Sequence, residues 1–86
     1  MAKYSLFIKP SAAKEIEAVP KTDRLRIIQR IQGLCVDPWP PGHEKISGDD
    51  KYRVRQGNYR ILYTINDSEL IVVVVRVAHR REVYRK

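Results

Sequence analysis

Between Lys51 and Ile65 apolar and polar residues alternate almost one for one, with a single break at Gly57-Asn58. A period of two marks half-buried strands, here over 51–56 and 58–65, joined by a tight hairpin turn. A third run, Leu70 to Val77, follows the turn residues Asn66-Asp67-Ser68 and is apolar on both sides, which predicts an interior strand. Near the start, Lys3 to Lys9 contains Tyr4, Leu6, Phe7 and Ile8 and reads as a first strand closed by Pro10. The period then lengthens. Ala12, Ile16 and Val19 recur at four and three residues, predicting a helix over 12–19 with Ser11 as N-cap and Pro20 as its stop. Thr22 is expected to cap a second helix whose stripe is Leu25, Ile28, Ile31 and Leu34/Cys35, ended by Asp37-Pro38. Residues 37–43, DPWPPGH, form a proline-stiffened loop in which Trp39 is expected to cover an edge of the core.

Strand, helix, helix and then a three-strand meander define an α+β fold, an N-terminal helical hairpin packed on a small antiparallel β-sheet. No repeat or linker interrupts it, so residues 1–86 are expected to form one domain. Alternation gives the sheet two faces. Tyr52, Val54, Tyr59, Ile61, Tyr63 and Ile65 belong to the core, whereas Arg53, Arg55, Arg60, Leu62 and Thr64 point the other way. The register of Leu70 to Val77 is ambiguous, which leaves the face taken by Arg76 open.

Charge sharpens this picture. The net charge is +7, and the first 50 residues nearly balance with eight Lys/Arg against seven Asp/Glu, while residues 51–86 hold nine against three. A basic half of this kind fits a polyanionic partner, most often nucleic acid. The one cysteine, Cys35, rules out an internal disulfide and reads as a buried small hydrophobe. No apolar stretch has the length of a signal or membrane-spanning segment, so no membrane association is expected and a cytoplasmic location is. Neither His43 nor His79 has a companion at metal-ligand spacing, and no metal or cofactor is expected.

Guanidinium groups match phosphate oxygens with a planar fork and keep their charge at any working pH. Arg53, Arg55 and Arg60 on adjacent strands are therefore candidates to grip a phosphodiester. Residues 79–85, HRREVYR, add His79, Arg80, Arg81, Tyr84 and Arg85 just beyond the last strand, with Tyr84 suited to stacking on an unpaired base.

The runs Tyr52-Arg53-Val54-Arg55, Gly57-Asn58-Tyr59-Arg60-Ile61-Leu62-Tyr63 and Arg76 to Arg85 together resemble toxins of the RelE/ParE superfamily, on the RelE side. The likeness extends upstream through Ala12 to Pro20, Leu34 to Pro38 and Gly42 to Gly48. The resemblance implies a metal-independent endoribonuclease of a type II toxin-antitoxin system that enters the ribosomal A site. There the 2′-hydroxyl of the message attacks the neighbouring phosphate, leaving a cyclic phosphate and a 5′-hydroxyl. It also implies a RelB-like antitoxin as partner, beside the ribosome and mRNA. Carried over by position, Arg60 stabilises the transition state, Arg80 acts near the leaving group and Tyr84 stacks on or orients the codon. Arg55 joins this catalytic group, and Lys51, Arg53, Arg55, Arg81 and Arg85 hold the RNA.

The departure from the family lies at Arg53 and Arg55, where its well-characterised members place lysines, one of them a candidate base. Arginine is a poor proton acceptor, so either positioning and charge drive the cut or His79 accepts the proton, with Lys51 and Glu82 as weaker candidates. Two other functions compete: a ParE-like inhibitor of DNA gyrase, and a non-catalytic basic module that binds RNA or ribosomes.

Overall fold

The computed structural model describes residues 3–46 and 50–83. In chain order these form β1 (Ser5–Ile8), α1 (Pro10–Glu17), α2 (Lys21–Val36), β2 (Glu44–Lys45), β3 (Lys51–Gln56), β4 (Tyr59–Asn66), β5 (Ile71–His79) and the single turn α3 (Arg80–Val83). The sheet order is β1-β5-β4-β3-β2. Strands β2 to β5 pair antiparallel, and β1 joins the edge parallel to β5, so the α+β class stands with a mixed sheet in place of a wholly antiparallel one. A parallel neighbour needs a long crossover, and the rest of the chain between β1 and β5 supplies it.

Gly57, with φ of +59°, opens the two-residue connection between β3 and β4, a conformation a side chain would resist. Leu70 takes φ of +58° and belongs to the turn, so β5 starts at Ile71 rather than at residue 70. β5 also runs two residues past the predicted end, through His79, and carries a bulge where Leu62 pairs with Arg76 but Tyr63 with Val74.

One face of the sheet meets the helices. Val54, Ile61, Tyr63, Val72, Val74 and Val77 pack there with Ala12, Ile16, Ile27, Ile31 and Leu34 in one buried cluster. Cys35 is buried within it, and burial pushes its thiol pKa up. Tyr63 is fully buried, donates its hydroxyl to the Pro38 carbonyl at 2.6 Å, and has its pKa pushed up to about 12 by burial. Trp39 lies edge-on to Tyr4 with ring centroids 6.3 Å apart and keeps 41% of its surface exposed, so it covers the core only in part.

Both expected helix caps fail. α1 begins at Pro10 after Lys9, and α2 at Lys21 after Pro20, with no side-chain cap on either. Proline at the first helical position has no N–H to satisfy and has its φ already set, which starts α1 one residue before Ser11. The stripe read on α2 is also corrected: Ile27, Ile31, Leu34 and Cys35 face the core, while Leu25 and Ile28 are exposed. A row of i+3 steps turns steadily around a helix of 3.6 residues per turn, so Leu25 and Leu34, nine residues apart, stand half a turn from each other. They cannot share a face.

Truncating the true row should therefore cost far more than truncating the outer one. Ile27→Ala is expected to lose about 3 kcal/mol, and Leu25→Ala less than about 0.5 kcal/mol, in urea unfolding. Equal losses would place the helix in the wrong rotation.

Candidate functional site

The ladder decides which side chains share the outer face. Arg55 pairs with Arg60, and Arg60 in turn with Ala78; Arg53 pairs with Leu62 and Lys51 with Thr64. Directly paired residues project to the same side of a sheet, so Lys51, Arg53, Arg55 and Arg60 stand together opposite α1 and α2. Arg55 and Arg60 flank the Gly57-Asn58 turn. α3 starts at that same end, because the Arg80 N–H donates to the Asn58 carbonyl at 2.7 Å. The hairpin end of the sheet thus collects Arg55, Arg60 and the start of the Arg80-Arg81 turn. Tyr84 and Arg85 lie outside the described residues, as do the side chain of Glu82 and any contact it makes.

Arg60 departs from expectation in one respect: only 5% of its surface is exposed, although it faces away from the core. Alternation alone would leave this side chain in water, and α3 packs against both β4 and β5 at this end of the sheet. A cation held this way has lost rotamer freedom and hydration before any ligand arrives.

His79 does not join the arginine face. It pairs with Tyr59, packs edge-on against that ring at 5.5 Å, and belongs to the helix side. Its Nδ1 accepts the Arg81 N–H at 3.3 Å, so the imidazole caps the start of α3. The extra turn of strand that carries β5 through His79 fixes this orientation, and proximity in sequence to Arg80 gave no sign of it.

Arg76, left open above, registers beside Leu62, but its Nε lies 3.3 Å from Glu15 Oε2 on α1. Glu15 Oε1 accepts the Val77 N–H at 2.8 Å. Past Ile8 and Lys9, β1 no longer covers β5, and this carboxylate satisfies the strand edge instead. Glu15, Val19, Tyr59, Arg76 and His79 line a cavity of about 340 Å³ there. That cavity runs along the β5 edge and is separate from the Arg55–Arg60 pair.

A residue that sequence reasoning passed over completes the arginine face. Glu44, on the two-residue β2, pairs with Arg53 across the sheet. Its Oε1 accepts from Arg53 Nε at 3.0 Å and from Nη2 at 2.6 Å. The hydrogen bond and charge of Arg53 hold the Glu44 carboxyl below the ordinary value of 4.5, with smaller contributions from Arg55 and Arg60. A strand of two residues leaves no period to detect, so nothing in the sequence placed Glu44 beside the arginines. Among the described residues, no three His, Cys, Asp or Glu side chains group as metal ligands would. No helix among them is long and apolar enough to cross a membrane.

Comparison with known proteins agrees with this architecture. The family described as the ParE toxin of type II toxin-antitoxin systems, parDE, matches residues 6–84. The chain belongs to the RelE/ParE superfamily of type II toxin-antitoxin toxins. Its similarity to individual members points to the RelE side: toxin RelG of Mycobacterium tuberculosis is 46% identical over 96% of this chain and 98% of its own length. The toxin-antitoxin complex RelBE2 of the same organism contains a chain that superposes with a TM-score of 0.80 at 25% identity, over 93% of this chain and 94% of that one. A free-state variant of Escherichia coli RelE superposes at 0.77 with 28% identity, over 98% and 92%.

The Glu44–Arg53 pair has a signed pH signature. A carboxyl whose folded pKa is depressed contributes stability above the unfolded value of 4.5, and that contribution is lost as pH falls through the lower folded value. Glu44→Gln removes it, so the urea midpoint of the variant should fall less steeply with acid than that of the wild type. Parallel curves between pH 7 and pH 3 would mean that the pair does not persist in solution.

Proposed function

We propose that this toxin is a ribosome-dependent mRNA endoribonuclease that cuts within the A-site codon by 2′-hydroxyl attack. The observation that carries the reading is the pairing of Arg55 with Arg60 on the sheet face opposite the helices, at the end where α3 begins with Arg80. The relatives named RelG and RelE support the same branch over gyrase inhibition. In this reading Arg60, restrained by burial, neutralises the charge that builds on the pentacoordinate phosphorus. Arg80 stands by the departing 5′-oxygen. Arg55, Arg53 and Lys51 hold the phosphates along β3, and Arg81 and Arg85 extend the grip at the chain's end. Tyr84 orients the codon by stacking.

Fixed positive charge of this kind does no proton transfer, and its value depends on the message being bent into line for attack. The ribosome supplies that constraint. The protein acts in the cytoplasm on translating ribosomes and is held inactive by a RelB-like antitoxin, as similar toxins are found in RelBE complexes from Mycobacterium tuberculosis and Escherichia coli.

Purified protein added to ribosomes carrying a defined message is expected to leave a 2′,3′-cyclic phosphate within the A-site codon. Intact but bound message would instead identify a binding module, and gyrase-dependent DNA breaks a ParE-like poison. Arg60→Ala should slow cleavage by roughly 10²- to 10³-fold with its circular dichroism unchanged, since the side chain faces away from the core beneath α1 and α2; full activity would remove Arg60 from the site. Naked RNA should bind in low salt yet be cut poorly, and brisk cutting of it would contradict dependence on the ribosome.

A further inference from the structure

The reaction needs a group to take the 2′-hydroxyl proton, and the arginine face is poor in candidates. A guanidinium is a poor proton acceptor, which removes Arg53, Arg55 and Arg60 from the candidates. His79 lies on the helix side with Nδ1 engaged by Arg81. Lys51 shares the outer face but pairs with Thr64, four residues along β3 from Arg55 and the hairpin end. Among the described residues, the carboxylate that stands beside these cations is Glu44, while the Glu82 side chain lies outside them.

Resting on the nuclease reading above, we propose that Glu44 is the general base of the cleavage. Register puts it beside Arg53 on the face that carries Arg55 and Arg60. Both Arg53 contacts fall on Oε1, and Oε2 takes part in none of the described hydrogen bonds. Arg53 therefore fixes the carboxylate in orientation while leaving one oxygen to receive a proton. The same field that keeps Glu44 ionised makes it a weak base. The arginines offset this by stabilising negative charge on the substrate, which eases departure of the 2′ proton. A surface that only bound RNA would gain from losing this acid, because a carboxylate among phosphate-binding arginines opposes the polyanion.

The step balances without an added reactant. The 2′-hydroxyl proton passes to Glu44 Oε2 as the 2′-oxygen bonds to phosphorus, and the bond from phosphorus to the 5′-oxygen breaks with its electron pair. The 5′-oxygen takes a proton from water, and the hydroxide so formed takes the proton from Glu44. The products are the 2′,3′-cyclic phosphate and the 5′-hydroxyl, with the enzyme restored.

The test is single-turnover cleavage of a defined message in ribosomal complexes, with toxin titrated to saturation between pH 5.5 and pH 8. The charged groups around Glu44 are Arg53 and Arg55 on β3, Arg60 on β4, and the Lys45–Asp50 pair beside it. The neighbouring His43 turns its ring toward Tyr52 and its Nδ1 to the Pro40 carbonyl, and it is present in wild type and variants alike. Glu44→Gln is expected to lower the saturating rate by about 100-fold or more while half-saturation stays equal or tightens. Glu44→Asp, which keeps the carboxylate, should retain an intermediate rate. Across this range the wild-type rate should be flat, while the Gln variant should gain rate as hydroxide takes over, about tenfold per pH unit. A Gln variant that cuts at the wild-type rate and binds more tightly would reduce Glu44 to a counter-ion of Arg53 and overturn the assignment. Wild-type protein that leaves the message intact would overturn the nuclease reading itself, which is a different result from failure of the variant alone.

Discussion

The alternation along β4 is the constraint on which the molecule depends. Ile61, Tyr63 and Ile65 must sit beneath α1 and α2 to close the core, and a pleated strand then sends Arg60 to the other side. The two-residue turn at Gly57 fixes β3 opposite β4, so Arg55 arrives directly beside Arg60. Packing and chemistry are thus two outcomes of one register. A slip by a single residue would bury the arginines and expose the core together.

That dependence explains what could be read from the chain. Long alternating runs bounded by turn residues announced β3, β4 and the division of the sheet into an apolar and a basic face. Helix rotation was less legible, because α2 carries two apolar rows and only the one through Ile27 and Ile31 keeps to a single face over its length. The parallel edge strand was hidden for another reason: Ser5–Ile8 shows its composition locally, but its partner in β5 lies more than sixty residues away.

The candidate site was legible where charge and alternation coincided and opaque where tertiary geometry decided. Arg53, Arg55 and Arg60 follow from period two. The burial of Arg60 does not, since alternation alone would leave that side chain in water. His79 is adjacent in sequence to Arg80 yet caps α3 from the helix side. Glu44 comes to the arginines through a two-residue strand too short to leave a pattern, and Glu15 reaches β5 from a helix sixty residues earlier to close the strand edge. In each case one contact between distant segments sets the role of a residue whose type alone is uninformative.

The central claim is that a scissile phosphodiester docks against the hairpin end of the outer sheet face. A structure of the protein on a ribosome carrying a message with a 2′-O-methyl group at the A-site cleavage position tests it most directly, since that nucleotide cannot attack. The account predicts the blocked phosphate within about 3 Å of guanidinium nitrogens of Arg55 or Arg60. A phosphate lodged instead along the helices, or in the cavity at the β5 edge, would contradict it.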